Sequence, residues 1–299
     1  ELGKLSAFLE AQGFSNLKKR IFKALPSQDA KLSSSDQQMF AYSESGKPLY
    51  HIIDSLEKID ALKRVLYYRG FCAIDTETTS LDPLEAELIG VSISINPGEA
   101  YYLPYQRGAH NVDYGEEFYQ QVHTFLDAIA TDTTLLKIGH NIKYDLHVLQ
   151  KRNIFCRGIE DTIIIAGLLE FGPYNLDALI LKHFNYNKKS FKELLHNNPQ
   201  AQTFKDIPLE SASFYACEDA DYTLQLYVLF LPKLVEGNLI RIYKCLEKPL
   251  ISIIQQIESK GILVDPNVLQ SLSHKLAKDL STLEEQIYSM AGESFNIGS

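Results

Sequence analysis

Residues 71–78 read Phe71-Cys72-Ala73-Ile74-Asp75-Thr76-Glu77-Thr78: four apolar positions, then acids alternating with hydroxyls. The apolar half is that of a buried strand, and residues two apart on a strand share a face. Asp75 and Glu77 therefore point together and Thr76 points away. Carboxylates this close repel unless a cation pairs them. Alone, the pair reads more simply as two exposed acids at a strand end. Two further clusters shift that balance, Asn141-Ile142-Lys143-Tyr144-Asp145 and Tyr215-Ala216-Cys217-Glu218-Asp219. Acids gathered from three elements imply cations between them, and hard oxygen ligands select Mg2+ or Mn2+. Two such ions about 3.5–4 Å apart are the usual arrangement for phosphodiester hydrolysis.

Around this stretch the pattern is strongly β. Leu88 to Ile95 alternates, Asn96-Pro97-Gly98 turns and Ala100 to Leu103 returns, predicting a three-strand antiparallel meander. A helix over residues 116–129 crosses to another apolar strand, Leu135 to Ile138. From Asn141 onward helices dominate, at residues 161–171, 176–184 and 208–231. Before the meander, Tyr50-His51-Ile52-Ile53 opens the compact region, followed by a helix whose start reads as a capping box of Asp54 and Glu57. Strands, a crossover helix and a helical half define an α/β fold with a central mixed sheet, expected to have five strands flanked by helices.

The flanks differ. Residues 1–25 show helical spacing broken at Gly13, and residues 26–48 have the Ser-rich polar composition of a linker. Residues 249–260 read as an amphipathic helix ended by Gly261, and Asp265-Pro266 starts another that runs to Ala291. The chain opens on Glu1 and stops at Ser299 without a domain-end signal, so a segment of a longer protein is expected.

Asn141 and Asp145 are i and i+4 on one helix and share a face. Asn141 alternatively reads as a plain N-cap. His140 and His147 flank the cluster, but their spacing and soft nitrogens suit a hard-metal site poorly. Tyr215 and Asp219 repeat the i, i+4 relation. A tyrosine hydroxyl beside a metal can position a water for in-line attack, although a core aromatic is the commoner fate of the residue. Glu218 and Asp221 point elsewhere and read as solvated, or at most as neighbours of the site.

Lys plus Arg number 29 against 38 Asp plus Glu, a net charge of −9, which argues against a long phosphate track. A few nucleotides held by stacking and by metals fit better. The clusters Lys188, Lys189, Lys192 and Lys137, Lys143, Lys151, Arg152 read as solvated faces. The four cysteines lie far apart with no metal-ligand spacing and read as reduced thiols of a cytoplasmic protein. No apolar run is long enough to span a bilayer, so no membrane partner is expected.

Taken together, in the order strand pair, helix pair, helix pair, the clusters resemble the 3′–5′ exonucleases that use four acids and a tyrosine. More closely, they resemble the proofreading region of the bacterial family A DNA polymerases. The resemblance rests on FCAIDTETTSLDP (71–83), KIGHNIKYDLHVL (137–149), YNLDALILKHF (174–184) and YACEDADYTLQL (215–226). It continues through LEKPLISIIQQIESKGILVDPNVL (246–269), which is similar to the start of that family's polymerase region, while residues 1–25 resemble the tail of its 5′-nuclease region.

The resemblance implies a ribonuclease H-like exonuclease domain over residues 49–236, with residues 237–299 beginning the polymerase thumb. Asp75, Glu77 and Asp219 would hold a first divalent cation, Asp75 bridging to a second that Asp145 supports through water. Tyr215, assisted by Glu77, would orient the attacking water at the terminal phosphodiester, releasing nucleoside 5′-monophosphates. Thr78 and Leu81 fall where the family packs the 3′-terminal nucleotide, Phe191 where an aromatic stacks on an unpaired base, and Asn141 where a side chain contacts the strand. The partner implied is a single-stranded or frayed DNA 3′ end, delivered to a monomer by covalently continuous polymerase and 5′-nuclease regions. The polymerase acids would lie beyond Ser299. An RNA-processing exonuclease of the same fold is the nearest rival, and a silent single-strand-binding scaffold the other.

Overall fold

The computed structural model describes residues 48–170 and 172–298. The helix expected over residues 1–25 and nearly all of the linker expected over 26–48 lie outside the described residues. Six strands form one mixed sheet: β1 (Leu49–Ile52), β2 (Phe71–Thr78), β3 (Leu88–Asn96), β4 (Glu99–Pro104), β5 (Leu136–Gly139) and β6 (Ile159–Asp161). Their order across the sheet is β1-β4-β3-β2-β5-β6. The expected meander is present, β3 pairing antiparallel with both β2 and β4, and β2, β5 and β6 run parallel. The expected count of five falls short by one. β6 has only three residues, too few to alternate visibly, and the sequence reading gave its last residue to a helix.

Helix α1 (Leu56–Arg69) links β1 to β2, α2 (Glu116–Thr131) crosses from β4 to β5, and α3 (Ile142–Lys151) leads from β5 towards β6. Beyond β6 come α4 (Thr162–Leu169), α5 (Leu176–Phe184), α6 (Phe191–His196) and the long α7 (Leu209–Glu236). α1 starts one residue later than expected. Ser55 caps it by accepting from the Lys58 amide, while Asp54 forms an ion pair with Lys58. On one face of the sheet, α1 and α2 bury Ile59, Leu62, Leu66, Val122, Phe125 and Ile129 in a core shared with β2 and β3. On the other, α7 packs Ala212, Ala216 and Cys217 against Ile89, Ala100 and Tyr102. Small residues at that spacing bring the helix close to the strands, so whatever it carries lies near the sheet.

A close approach also explains Gly90 of β3, which sits opposite Glu77 in the register. A Cβ there would lie 2.2 Å from the hydroxyl of the fully buried Tyr102, which is held by His110 Nε2 at 2.8 Å.

Residues 240–247 wind into α8 (Lys248–Lys260), whose Lys248 pairs with Glu160 at 2.7 Å. Ile251 and Gln255 are the buried residues of α8. The compact unit containing the sheet ends at Gln255. A second unit starts at Gln256 and holds the rest of α8 and α9 (Pro266–Ala291), capped by Asp265 as expected. Along α9, Leu269, Leu272, Leu276, Leu280, Leu283 and Ile287 are exposed. No helix among the described residues is long and apolar enough to cross a membrane.

Candidate active site

The parallel strands β2, β5 and β6 end on one edge of the sheet, the position where open α/β sheets present ligand sites. Asp75 and Glu77 lie near the end of β2, just before its pairing with β3 shifts register between Glu77 and Thr78. Tyr215 and Asp219, on successive turns of α7, approach from above. Asp75, Glu77 and Asp219 each offer a carboxylate oxygen, and these lie within 4.8 Å of one another.

Asp145 stands outside this group of three, held from the other side of β2. The Thr76 amide and hydroxyl both donate to Asp145 Oδ1, at 2.9 and 2.6 Å. Thr76, which alternation turned away from Asp75 and Glu77, therefore fixes a carboxylate of its own. Asp145 remains close enough that, after burial, its charge is the strongest influence raising the Asp75 carboxyl.

Asn141 begins α3 with φ +64°, a left-handed conformation that asparagine tolerates better than most residues. Its side chain does not cap the helix, contrary to the simpler of the two expectations. Asp161 does so instead, accepting from the amides of Asn141 and Ile142 at 3.0 Å each and from Ile163 at 3.0 Å, thereby starting both α3 and α4. The expected helix over residues 161–171 accordingly begins one residue later and ends at Leu169, with residue 171 outside the described residues.

A cleft of about 490 Å³ opens above the acids. Asp75, Glu77 and Tyr215 line it, and so do Thr78, Leu81, Asn141 and Phe191, the residues the resemblance gave to the strand. Leu81 is 95% exposed, an apolar side chain at the rim. The facing wall adds Gln202, Thr203 and Phe204, with the rings of Phe204, Phe191 and Tyr215 packed as a triangle at centroid separations of 6.2–6.3 Å. Tyr144, assigned no role from sequence, also lines the cleft, and its hydroxyl bonds Thr78 Oγ1 and the Ser80 carbonyl. It ties the loop after β2 to α3.

Lys188 is the largest departure from the sequence reading. Expected on a solvated face, its side chain is 1% exposed, with Nζ 2.7 Å from Asp219 Oδ1 and 3.5 Å from the centre of the Tyr215 ring. A lysine in a basic run looks solvated, and only the tertiary packing of Tyr215 and Asp219 buries this one. Lys137 is also buried, donating to the carbonyls of Asp132 and Leu135. Glu218 and Asp221 are likewise not solvated. Tyr186 donates to Glu218 at 2.6 Å, and Asp221 accepts from the Tyr50 hydroxyl at 2.9 Å and the Gly98 amide at 2.7 Å, pinning α7 to β1 and the β3–β4 turn. His140 bonds Thr162 and the Tyr174 carbonyl, and burial lowers it to about 4, a neutral structural histidine.

Burial, reinforced by Asp219, raises the Glu77 carboxyl to about 8. Burial raises Asp145 to about 7 against the Thr76 hydrogen bonds, and raises Asp219 against the pull of Lys188. Glu77 Oε1 is buried with no hydrogen-bond partner. An all-oxygen donor set, mutually repelling acids and an orphaned carboxylate oxygen fit divalent cations of the Mg2+ or Mn2+ kind.

A mixed sheet of this order flanked by helices, with Asp75 and Glu77 near the end of β2 beneath a cleft, is an α/β fold of the ribonuclease H-like exonuclease type. Solved structures sharing the fold include Escherichia coli RNase D, an exoribonuclease (TM-score 0.54, 15% identity, 70% of this chain and 51% of that one). The polymerase domain of Pol1 from M. smegmatis is another (TM-score 0.63, 18% identity, 83% of this chain and 39% of that one). Residues 50–235 match the 3′–5′ exonuclease family of the family A DNA polymerases, and the chain belongs to that family of hydrolytic nuclease modules. Curated relatives include DNA polymerase I of Rhizobium leguminosarum, 32% identical over 288 residues, and of Pseudomonas aeruginosa, 34% identical over 257. These alignments cover 90% and 84% of this chain and 28% of each relative.

Proposed function

We propose that this chain removes the 3′-terminal nucleotide of single-stranded or frayed DNA by two-metal hydrolysis, as the proofreading module of a DNA polymerase I. The observation that carries the reading is the convergence of Asp75, Glu77 and Asp219 from β2 and α7, with Asp75 and Glu77 lining one cleft. These three would hold one divalent cation, with Asp75 and Asp145 serving a second. Bound there, the cations supply positive charge at both the attacking and the leaving oxygen of the phosphodiester.

The chain's own groups do the rest. Burial, then the charges of Asp219 and Glu77, push the Tyr215 phenol well above its ordinary range. It stays protonated and orients the attacking water as a hydrogen-bond donor, with Glu77 as the accepting partner. Phe191 offers a ring to an unpaired base, Leu81 an apolar rim, and Thr78 and Asn141 polar contacts to sugar and phosphate. The site occupies one cleft rather than a basic groove, in keeping with the charge of −9. On this reading residues 237–299 begin the polymerase region and residues 1–25 close a 5′-nuclease region.

The test is release of labelled mononucleotides from a 3′-labelled single-stranded DNA in Mg2+ or Mn2+. Release should stop with EDTA and with Asp75→Ala. Absence of release with either metal would sink the catalytic reading and leave the scaffold. Faster release from an RNA strand of the same sequence would turn the assignment to RNA processing.

A further inference from the structure

Lys188 lies between α5 and α6, in the segment that leads to the cleft wall. Burying an ammonium is costly unless an opposite charge meets it. Here that charge is Asp219 Oδ1 at 2.7 Å, and the face of Tyr215 covers the ammonium at 3.5 Å. Two requirements thus fall on Asp219. It pairs with the lysine, and it belongs to the three-carboxylate group that fits a divalent cation. One ammonium cannot balance Asp75, Glu77, Asp145 and Asp219 once metal displaces their protons, so the group has carboxylate oxygens for metal ions beyond the one the lysine meets. Lysine's unbranched stem, with its freely rotating bonds, lets the ammonium swing off Asp219 without moving the backbone.

We propose that Lys188 is the resident counter-cation of this site: it holds Asp219 and Tyr215 in place before metal arrives and surrenders Asp219 when metal loads. Metal binding is then an exchange of one cation for another, and the apparent affinity is weaker than the bare acids would give. The proposal rests on the two-metal reading above.

Isothermal titration of Mn2+ into the full 299-residue protein tests it. Lys188→Met keeps the length and apolar stem of the side chain and removes the charge. It should tighten Mn2+ binding at least about fivefold and lower the metal-free melting temperature, because uncompensated acids remain. Lys188→Arg, which keeps the charge, should bind Mn2+ about as weakly as the parent. Equal or weaker Mn2+ binding by Lys188→Met would overturn the lysine's role while leaving the two-metal reading intact. No Mn2+ binding by either protein would overturn both. Should Lys188→Met not fold, parent crystals soaked in Mn2+ decide: separation of Nζ from Asp219 Oδ1 beyond about 4 Å supports the exchange, and an intact pair beside bound metal refutes it.

Discussion

Thr76 and Asp145, far apart in sequence and on different elements, are joined twice, the amide and the hydroxyl of one meeting a single oxygen of the other. The strand that presents Asp75 and Glu77 on one face thus secures a third carboxylate through its opposite face. A shift of β2 by one residue would lose all three acids together.

Thr76→Val keeps the side-chain shape and removes only the hydroxyl donor. Asp145 retains the backbone amide, so the fold should survive with a loss of about 1–3 kcal/mol in urea unfolding. Nucleotide release should fall about tenfold, because Asp145 is then held by one hydrogen bond instead of two. An unchanged rate would show that Asp145's placement does not depend on Thr76.

A pH dependence follows from Glu77, whose carboxyl stands at about 8 in the folded protein against an ordinary value of 4.5. Below about pH 4.5 it is protonated in both folded and unfolded chains and costs nothing. As pH rises towards 8 the unfolded chain ionises first, so folding loses stability progressively through that window. Metal-free Glu77→Gln should therefore melt near the parent at pH 4.5 and increasingly above it up to pH 8. With saturating Mg2+ the order should reverse at pH 8. A gap between the two proteins that does not vary with pH in EDTA would refute the assignment of Glu77 to a desolvated acidic cluster.

Gly90→Ala tests the packing behind the site. The added methyl would meet the Tyr102 hydroxyl, and the ring has nowhere to go because it is fully buried and bonded to His110. A loss of about 1–3 kcal/mol is expected, read by thermal or urea denaturation. A neutral result would mean that Tyr102 moves freely.

Phe191→Ala should separate recognition from chemistry. Loss of one stacking platform costs about 1–3 kcal/mol per base, so KM for single-stranded DNA should rise roughly five- to a hundredfold with kcat much less affected. A fall confined to kcat would place Phe191 with the reacting groups instead.

Much of this was legible in the sequence because it is periodic. The meander over 71–103 and the helices at 116–129, 176–184 and 266–291 follow from alternation, helical spacing and caps. β6 escaped because three residues carry no period. Asp221 was misread by helical geometry: two positions from Asp219 it should face water, but α7 is covered on that side too, by β1 and the turn at Gly98. Lys188 escaped for the opposite reason, since its neighbours in sequence are solvated and only the fold brings it to Asp219. Asp161, which caps two helices, was legible as a helix start but not as a partner of Asn141, twenty residues earlier in the chain.

The cleft has walls of two kinds. Its floor is the end of a sheet strand, locked through Thr76 to α3, and its far wall is Phe191, Gln202, Thr203 and Phe204, carried by a short helix and the connection that follows it. Changes in that connection leave the hydrogen bonds of the floor untouched. Natural variation can therefore re-cut the wall to accept a different sugar or a longer strand above an unaltered set of acids. One fold shared between a polymerase-linked module and an exoribonuclease is compatible with such a division of labour.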